Sequence, residues 1–318
     1  MANVLVTGVA GFIGSNLADR LIADGHTVTG IDNLAYGLRT QISQGVRFIE
    51  ADIRDPLIGG AFEGIDAVFH LAAKNCLSDC EDDPVETVSI NVEGTVNVFE
   101  ACRRAQVGNI IYAETSALYE GTKRFPSRED DVAPESFYAI SKFAGMAFAR
   151  RYERHFQMRM TALRYFNVYG PRQDYRRTVP PVMSAFILKL LTGERPIIYG
   201  TGEKRRDFIY VDDVNDFHAR CLTDPRTAGR TFNLGSGTNY SVLEVYRQVA
   251  DLLGERTPPE HRPDMQGDEA EQTLADIGAA RALGWQPKVS LAEGLAHSIA
   301  YIRENVLKVR GAGDAETL

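Results

Sequence analysis

The chain predicts an α/β fold: a doubly wound parallel sheet joined to a smaller, discontinuous C-terminal lobe. Three observations lead there. Through the first half, short apolar runs rich in β-branched and aromatic residues alternate with helical patterns. A glycine-spaced loop separates the first such run from the first helical stretch. After Gly170-Pro171 the alternation stops, and prolines punctuate the next segment.

The predicted strands are Val4–Thr7, Thr27–Ile31, Val46–Ile49, Ala67–Leu71, Asn109–Ala113 and Thr161–Tyr165. Each is short, continuous and rich in β-branched or aromatic residues, as befits strands of a parallel sheet covered on both faces. Asp83-Pro84 reads as a helix start, an N-cap acid before a first-turn proline, with Glu86 facing the dipole. That helix is expected to reach about Arg104, and a second to cover 138–155. Prolines at 171, 180, 181 and 196 bracket a connection, a helix near Met183–Leu191 and a strand-like Pro196–Tyr199. Thr231–Leu234 is expected to rejoin the main sheet. The expected domains are 1–170 plus about 209–237 for the sheet, and 171–208 plus 238–305 for the lobe. Residues 306–318 are expected to be a flexible tail. No internal repeat is present.

At 318 residues the chain can bury a large core. Its net charge of -8, with Lys and Arg interspersed among Asp and Glu, argues against a nucleic-acid surface. No basic n-region with a cleavage site is evident at the start, and the longest later apolar stretch, Val182–Leu191, is broken by Ser184 and Lys189. A cytoplasmic protein without membrane contact is expected. Four cysteines, Cys76, Cys80, Cys102 and Cys221, make no disulfide framework at this length. Cys76 and Cys80 lack the second Cys/His pair that a zinc site needs, so no metal is expected.

Gly8-Val-Ala-Gly11-Phe-Ile-Gly14 follows a strand and opens a helix, the context that makes glycine spacing a phosphate site. Such glycines permit a tight turn and close approach of a pyrophosphate, which the helix start favours electrically. Asp32, 18 residues after Gly14, ends the second strand. A carboxylate there accepts both adenosine ribose hydroxyls and repels a 2'-phosphate. These features describe a Rossmann-type domain taking NAD in preference to NADP. Asp52 and Ile53, after the third strand, are candidates for the adenine edge, or simple loop residues.

Tyr138-Ala-Ile-Ser-Lys142 places a phenol and an ammonium at i and i+4 on one helical face. A phenol with a pKa of about 10 needs a depression of roughly 3, or about 4 kcal/mol, to act as a base at neutral pH. A cation about 5 Å away supplies about 3 kcal/mol at an effective dielectric of roughly 20, and an oxidised nicotinamide can add a second charge.

Together these residues resemble the extended short-chain dehydrogenase/reductase family, and within it the UDP-glucose 4-epimerase group of nucleotide-sugar enzymes. The resemblance runs from Val4 to about Ile302 through TGVAGFIG, GIDNL, HLAA at 70–73, TSALY at 115–119, YAISK, LRYFNVYGPRQD at 163–174, RRDFIYVDDV at 205–214 and LADI at 274–277. It implies Tyr138 as base and Lys142 as the residue that lowers its pKa and binds the nicotinamide ribose. Thr115 falls where the family sets a hydroxyl against the sugar O4. Phe12, Ile13, Asn33, Leu71, Ala72, Ala73 and Tyr165 join the glycines, Asp32, Asp52 and Ile53 around NAD. Asn167 is implied at the phosphate region, Arg206 at the diphosphate, and Cys76, Cys80, Val182, Arg262, Asp268 and Thr273 along the sugar nucleotide. Ordinary alternatives exist: Thr115 can satisfy a loop backbone, Asn167 can cap a turn, and Arg206 can pair with Asp207 or Asp212.

The implied reaction removes the proton of a hexose 4-hydroxyl and passes the C4 hydride to NAD, giving a 4-keto sugar that is reduced again on its opposite face. Two alternatives are weighed. A 4,6-dehydratase would need acids immediately after Thr115, where Ser116 and Ala117 stand, with Glu114 and Glu120 nearby. A non-catalytic NAD-binding regulator would not need Thr115, Tyr138 and Lys142 together. The pattern departs from the family at Cys76 and Cys80, usually small or hydroxyl residues. It departs again at Glu120, usually glycine, and at Met265, where a second diphosphate arginine is common and Arg262 is the candidate substitute. Thr273 aligns with the residue that gates the pocket near the sugar 2-position, and its small size implies UDP-GlcNAc/UDP-GalNAc as substrates beside UDP-Glc/UDP-Gal. Val92, Val96, Phe99, Phe143, Ala147 and Phe148 spread over more than one helical face, and the resemblance implies a homodimer through those helices.

Overall fold

A computed structural model describes residues 1–177, 180–264 and 270–308. The expected strands form at their expected places: β1 (Asn3–Thr7), β2 (Thr27–Asp32), β3 (Val46–Glu50), β4 (Ala67–His70), β5 (Asn109–Thr115) and β6 (Met160–Tyr165). Short strands β7 (Val168–Tyr169), β8 (Ile197–Tyr199), β9 (Arg205–Asp207) and β10 (Ile209–Tyr210) come next, then β11 (Thr231–Leu234), β12 (Asn239–Ser241) and β13 (Glu260–Arg262). Seven strands make one sheet in the order β11-β6-β5-β4-β1-β2-β3, with every pairing parallel. Thr231–Leu234 thus rejoins the sheet, beside β6. The order reverses between β1 and β4, and the crevice outside the carboxyl ends of these strands is where such sheets bind ligands.

Helices α1 (Phe12–Ala23), α2 (Leu77–Asp82), α3 (Pro84–Val88), α4 (Thr95–Arg104) and α5 (Phe137–Phe156) belong to the first half. Later come α6 (Val182–Leu191), α7 (Val211–Thr223), α8 (Val242–Leu253), α9 (Gly278–Arg281) and α10 (Leu291–Ile302). The helix expected from Asp83 to Arg104 is interrupted by a π-helical segment, Ser89–Gly94, which joins α3 to α4. Asp83 caps it as expected, accepting the Glu86 amide at 2.9 Å.

Strand alternation sends side chains to both faces of the sheet. Val4 and Val6 meet α1 and α7 through Leu17, Leu21, Val214 and Phe217, whereas Leu5 joins Val98, Phe99 and Tyr152 from α4 and α5 on the other face. A separate core gathers Phe186, Ile198, Tyr210, Val245 and Leu295 from α6, β8, β10, α8 and α10. Residues Ala275 to Trp285 lie within the expected lobe by sequence, yet their apolar side chains pack in the sheet's core.

Two histidines lie wholly inside the sheet domain. His70 stands between Thr7 Oγ1 at 2.7 Å and Thr95 Oγ1 at 3.0 Å, and Thr7 Oγ1 also accepts the Leu71 and Ala72 amides at 3.2 Å. With its lone pairs so engaged, Thr7 donates to Nδ1, and neutral His70 donates from Nε2 to Thr95. His218 on α7 meets the Tyr165 hydroxyl at 2.7 Å. Burial pulls both imidazoles down to about 3, so the native state leaves them uncharged. The unfolded chain, with imidazoles at about 6.5, binds protons that the native state refuses, so their contribution to stability is complete above about pH 6.5 and is lost as pH falls toward 3. Denaturant unfolding should show on the order of 2 kcal/mol lost per histidine between pH 7 and 5, with about half of that dependence abolished in His70→Asn.

Candidate active site

The loop after β1 is built for a close-approaching anion. Gly8 has φ +74°, and a Cβ there would lie 2.9 Å from the Ala72 nitrogen. A Cβ on Gly14 would fall 2.1 Å from the Gly8 carbonyl oxygen, so only glycine lets α1 begin so near β1. Gly11 is the N-cap of α1 and brings no side chain to it, which leaves first-turn amides for an outside acceptor. Asp32, nearly buried at the end of β2, accepts the Ala10 amide at 3.0 Å and the Leu34 amide at 2.8 Å. Burial nonetheless raises its pKa, and these two amides oppose the rise. Its carboxylate is therefore fixed in direction at the rim of the glycine loop. The loop and Asp32 fit NAD.

One cleft of 1460 Å³ runs from the glycine loop along the carboxyl ends of β1, β4, β5 and β6 to the second lobe. Single-ligand pockets span about 300–1,000 Å³, so this one suits two ligands side by side. Its wall brings together Gly8, Gly11, Phe12, Ile13, Gly14, Asp32, Asn33, Asp52, Ile53, Leu71, Ala72, Ala73, Thr115, Tyr138, Lys142 and Tyr165. Cys76, Asn167, Val182, Arg206 and Thr273 also line it. Asp52 is a loop organiser: it holds the Arg54 guanidinium at 2.8 Å and the Asn33 amide at 2.9 Å, and the guanidinium hydrogen bond holds its pKa at about 2.

Two expected site residues are not brought to that wall, and a third lies outside the described residues. Cys80 is buried, its thiol 3.6 Å from the Lys74 carbonyl. Burial raises the Cys80 thiol, which makes it a packing residue. Arg262 is exposed on β13 and bonded to Glu260 at 2.8 Å, so it does not replace the missing diphosphate arginine in the cleft. Asp268, with Met265, lies outside the described residues.

The catalytic candidates meet over the sheet's edge. Ser136 caps α5 through the Ala139 amide at 3.1 Å. Glu120, replacing the expected glycine, accepts the Ser136 amide at 2.9 Å and its hydroxyl at 3.0 Å, tying the end of β5 to the start of the helix. Gly145 lets α5 approach β5, since a Cβ there would meet the Tyr112 hydroxyl at 2.2 Å. Lys142 is buried with its Nζ 4.3 Å from the Tyr112 ring centroid. Burial pulls its pKa to about 8, Glu114 opposing, so it remains a cation at neutral pH.

The expected depression of Tyr138 is absent in the protein by itself. Burial pushes the phenol up to about 12, against the Thr115 hydroxyl and the Arg177 charge, which favour the phenolate. The Lys142 charge instead faces the Tyr112 ring, with Glu114 and His70 in its surroundings. Thr115 Oγ1 accepts the Ala117 amide at 3.1 Å, the loop-backbone role named as its ordinary alternative. Asn167 donates to the Asp207 carbonyl at 3.0 Å and to the Thr273 hydroxyl at 3.1 Å. Asp207 does not pair with Arg206; its buried carboxylate accepts the Ser236, Gly237 and Ala275 amides at 2.7, 3.1 and 3.0 Å.

Sequence reasoning missed Asn91, Arg177 and the Glu114–Arg164 pair. Asn91 sits in the π-helical segment, a turn shape frequent at functional sites. Its amide donates to the Lys74 carbonyl at 2.9 Å and the Ser141 hydroxyl at 3.0 Å, while its oxygen accepts the Lys74 amide at 2.8 Å. It thereby joins the loop after β4 to the helix carrying Tyr138 and Lys142. A polar residue at an inward helical position was the available signal. Arg164 meets Glu114 at 2.6 Å with both side chains buried, and the arginine inside a strand pattern was its signal. Arg177 stands in an arginine pair before two prolines, which reads as loop in sequence.

Among the described residues no group of three or more His, Cys, Asp or Glu could hold a metal, and no helix is long and apolar enough to cross a membrane. Residues 4–235 match the NAD dependent epimerase/dehydratase family. The chain is similar to a UDP-glucose 4-epimerase of Mycolicibacterium smegmatis, 37% identical over 94% of this chain and 98% of that one. It is also similar to the UDP-glucose 4-epimerase of Thermotoga maritima solved with UDP-glucose, at TM-score 0.91, 34% identity and 96% and 99% coverage of the two chains. The Thermus thermophilus UDP-glucose 4-epimerase solved with NAD gives 0.89, 33%, 96% and 100%.

Asn91→Ala should strand two buried Lys74 backbone groups and one hydroxyl. Thermal unfolding and NAD titration should show a stability loss of about 2–3 kcal/mol and weaker NAD binding.

Proposed function

The chain belongs to the NAD dependent epimerase/dehydratase family, and from that premise we propose that it interconverts the C4 epimers of a UDP-hexose through a transient 4-keto sugar. The observation that supports this most is the convergence of Thr115, Tyr138 and Lys142 on one wall of the cleft that also holds the glycine loop and Asp32. NAD, when bound, supplies a reversible acceptor for the C4 hydride. Tyr138 takes and returns the 4-hydroxyl proton, and Thr115 shares that proton's hydrogen bond and fixes the sugar oxygen. Lys142 turns toward the cofactor's ribose end. Arg206 and Asn167, from the second lobe's side, hold the nucleotide and leave the sugar to the catalytic pair, so the ketone can present either face.

The dehydratase alternative is disfavoured by where the acids stand. Glu114 is buried and bonded to Arg164, Glu120 is bonded to Ser136, and Ser116 and Ala117 offer no acid at the sugar. The two cores support a division into a cofactor domain and a sugar-nucleotide lobe, with residues 275–285 returning to the first. Phe137, Ile140 and Phe148 on α5 and Val85 and Val88 on α3 are exposed. This apolar face pairs with a second copy of the chain to make a homodimer. The four cysteines are free, in keeping with a cytoplasmic setting.

The substrate range includes UDP-N-acetylhexosamines. Thr273 lines the cleft with a small side chain, its hydroxyl accepting from Asn167 and from the Asp207 amide at 3.1 Å. Purified protein incubated with UDP-sugars and no added NAD should yield the 4-epimers by proton NMR; loss of water, or no product, would refute the reading. Thr273→Tyr should lose acetamido sugars first, by about tenfold or more relative to plain hexoses. Thr273→Val, which removes the hydroxyl and not the space, should keep the preference.

A further inference from the structure

The face of α5 that carries Tyr138 and Lys142 runs opposite in direction to β5 beneath it. Tyr138 reaches the Thr115 hydroxyl, and two turns further on a Cβ on Gly145 would meet the Tyr112 hydroxyl at 2.2 Å. Lys142, between those two points on the helix, therefore stands level with Glu114, between them on the strand. Further contacts fix that placement. Lys142 Nζ lies 4.3 Å from the Tyr112 ring centroid, and Tyr112 and Glu114, two apart, project from one face of β5. Met146, one turn beyond Lys142 on the same helical face, meets Arg164 Nη2 at 3.2 Å, and Arg164 is the partner of Glu114. Glu114 and Lys142 are both buried, and both line the cleft.

Arg164 engages only half of the Glu114 carboxylate. Oε2 accepts Arg164 Nε at 2.6 Å, whereas Oε1 is buried and accepts no hydrogen bond from a described residue. A buried carboxylate oxygen without a donor is costly, and a cation facing it offsets that cost. Of the titratable groups packed around Lys142, His70 from β4 is uncharged, and Tyr112 from β5 and Tyr138 from α5 keep their protons. The Arg164 guanidinium from β6 is turned to Glu114, to the Tyr119 hydroxyl at 2.8 Å and to the Glu129 carbonyl at 2.6 Å. Among the described residues, Glu114 is the one anion of the set.

We propose that Glu114 is a positioning residue: its unshared oxygen holds Lys142 as a cation in the buried wall of the cleft and, resting on the epimerase reading, thereby sets the alkaline limit of turnover. Desolvation works the other way, pulling the ammonium down to about 8, and the Glu114 charge opposes it. The cation is complete below that pH and lost above it, so turnover that needs it falls on the alkaline side. Glu114 acts through the ammonium and takes no part in the chemistry: the 4-hydroxyl proton still passes to Tyr138 and the C4 hydride to NAD.

The test titrates Lys142 by carbon NMR of full-length protein labelled at the lysine Cε, with NAD bound and after its removal, Lys142→Met identifying the signal. Glu114→Gln keeps the shape and an acceptor for Arg164 and removes the charge. It should move the Lys142 midpoint down by about one pH unit or more. Its kcat on a UDP-hexose should be little changed at pH 6 and about tenfold lower at pH 8.5. Glu114→Asp should restore most of the wild-type midpoint. Because Glu114→Gln leaves Arg164 buried without its counter-charge, Glu114→Gln/Arg164→Met, which buries no unpaired charge, is titrated beside it and should show the same downward move. A midpoint that stays at the wild-type value in the double variant overturns the proposal, showing that the pair only joins β5 to β6. A midpoint that falls while the pH profile of kcat stays where it was overturns the role in turnover. Should no UDP-sugar react, the epimerase reading falls, and the midpoint alone decides whether Glu114 holds the cation.

Discussion

Desolvation of Tyr138 and Lys142 is the constraint on which the site depends. Out of water, a phenol keeps its proton and an ammonium releases one more easily, and both effects appear here, at about 12 and about 8. The same low-dielectric setting strengthens any charge placed beside the phenol. A unit charge about 4 Å away is worth about 4 kcal/mol at an effective dielectric of roughly 20, or a pKa change of about 3. The protein alone thus holds the proton on Tyr138, and a cationic cofactor beside it would lower that hold by about 3, to about 9, leaving the phenol protonated at neutral pH but its proton easier to remove.

Holding two such groups in place demands a stiff frame. Glu120 and Ser136 fix where α5 begins, Gly145 fixes how near it lies to β5, and Asn91 ties its first turn to the loop after β4. Each acts on backbone position and touches neither phenol nor ammonium. The second lobe contributes differently. Its contacts, Asn167 with Thr273 and Arg177 with Asn75, cross from one chain segment to another along the cleft.

The fold was legible wherever local pattern and global packing agree. Continuous apolar runs such as Val4–Thr7 and Asn109–Ala113 fall on strands buried on both faces, and the glycine loop falls where its spacing demands. The helix from Asp83 to Arg104 was legible in extent but not in shape. Its π-helical turn depends on Gly94 packing on Ile53 and Asn91 reaching Lys74, neither of which is local in sequence. At the site, Asp32, Tyr138 and Lys142 carried their own spacing. Cys80 and Arg262 were misplaced because a sequence position does not tell which side of a short helix or edge strand faces a cleft. The direction of the Tyr138 shift was missed because burial, invisible in sequence, dominates the phenol, while the charge four residues away faces the Tyr112 ring.

The most direct measurement is a tyrosinate absorbance titration of wild type minus Tyr138→Phe, carried out with NAD bound and after its removal. Desolvation without a neighbouring cation predicts an apparent Tyr138 pKa of about 12 for the protein alone and a value roughly 3 lower with oxidised NAD bound. The same value in both states would contradict it.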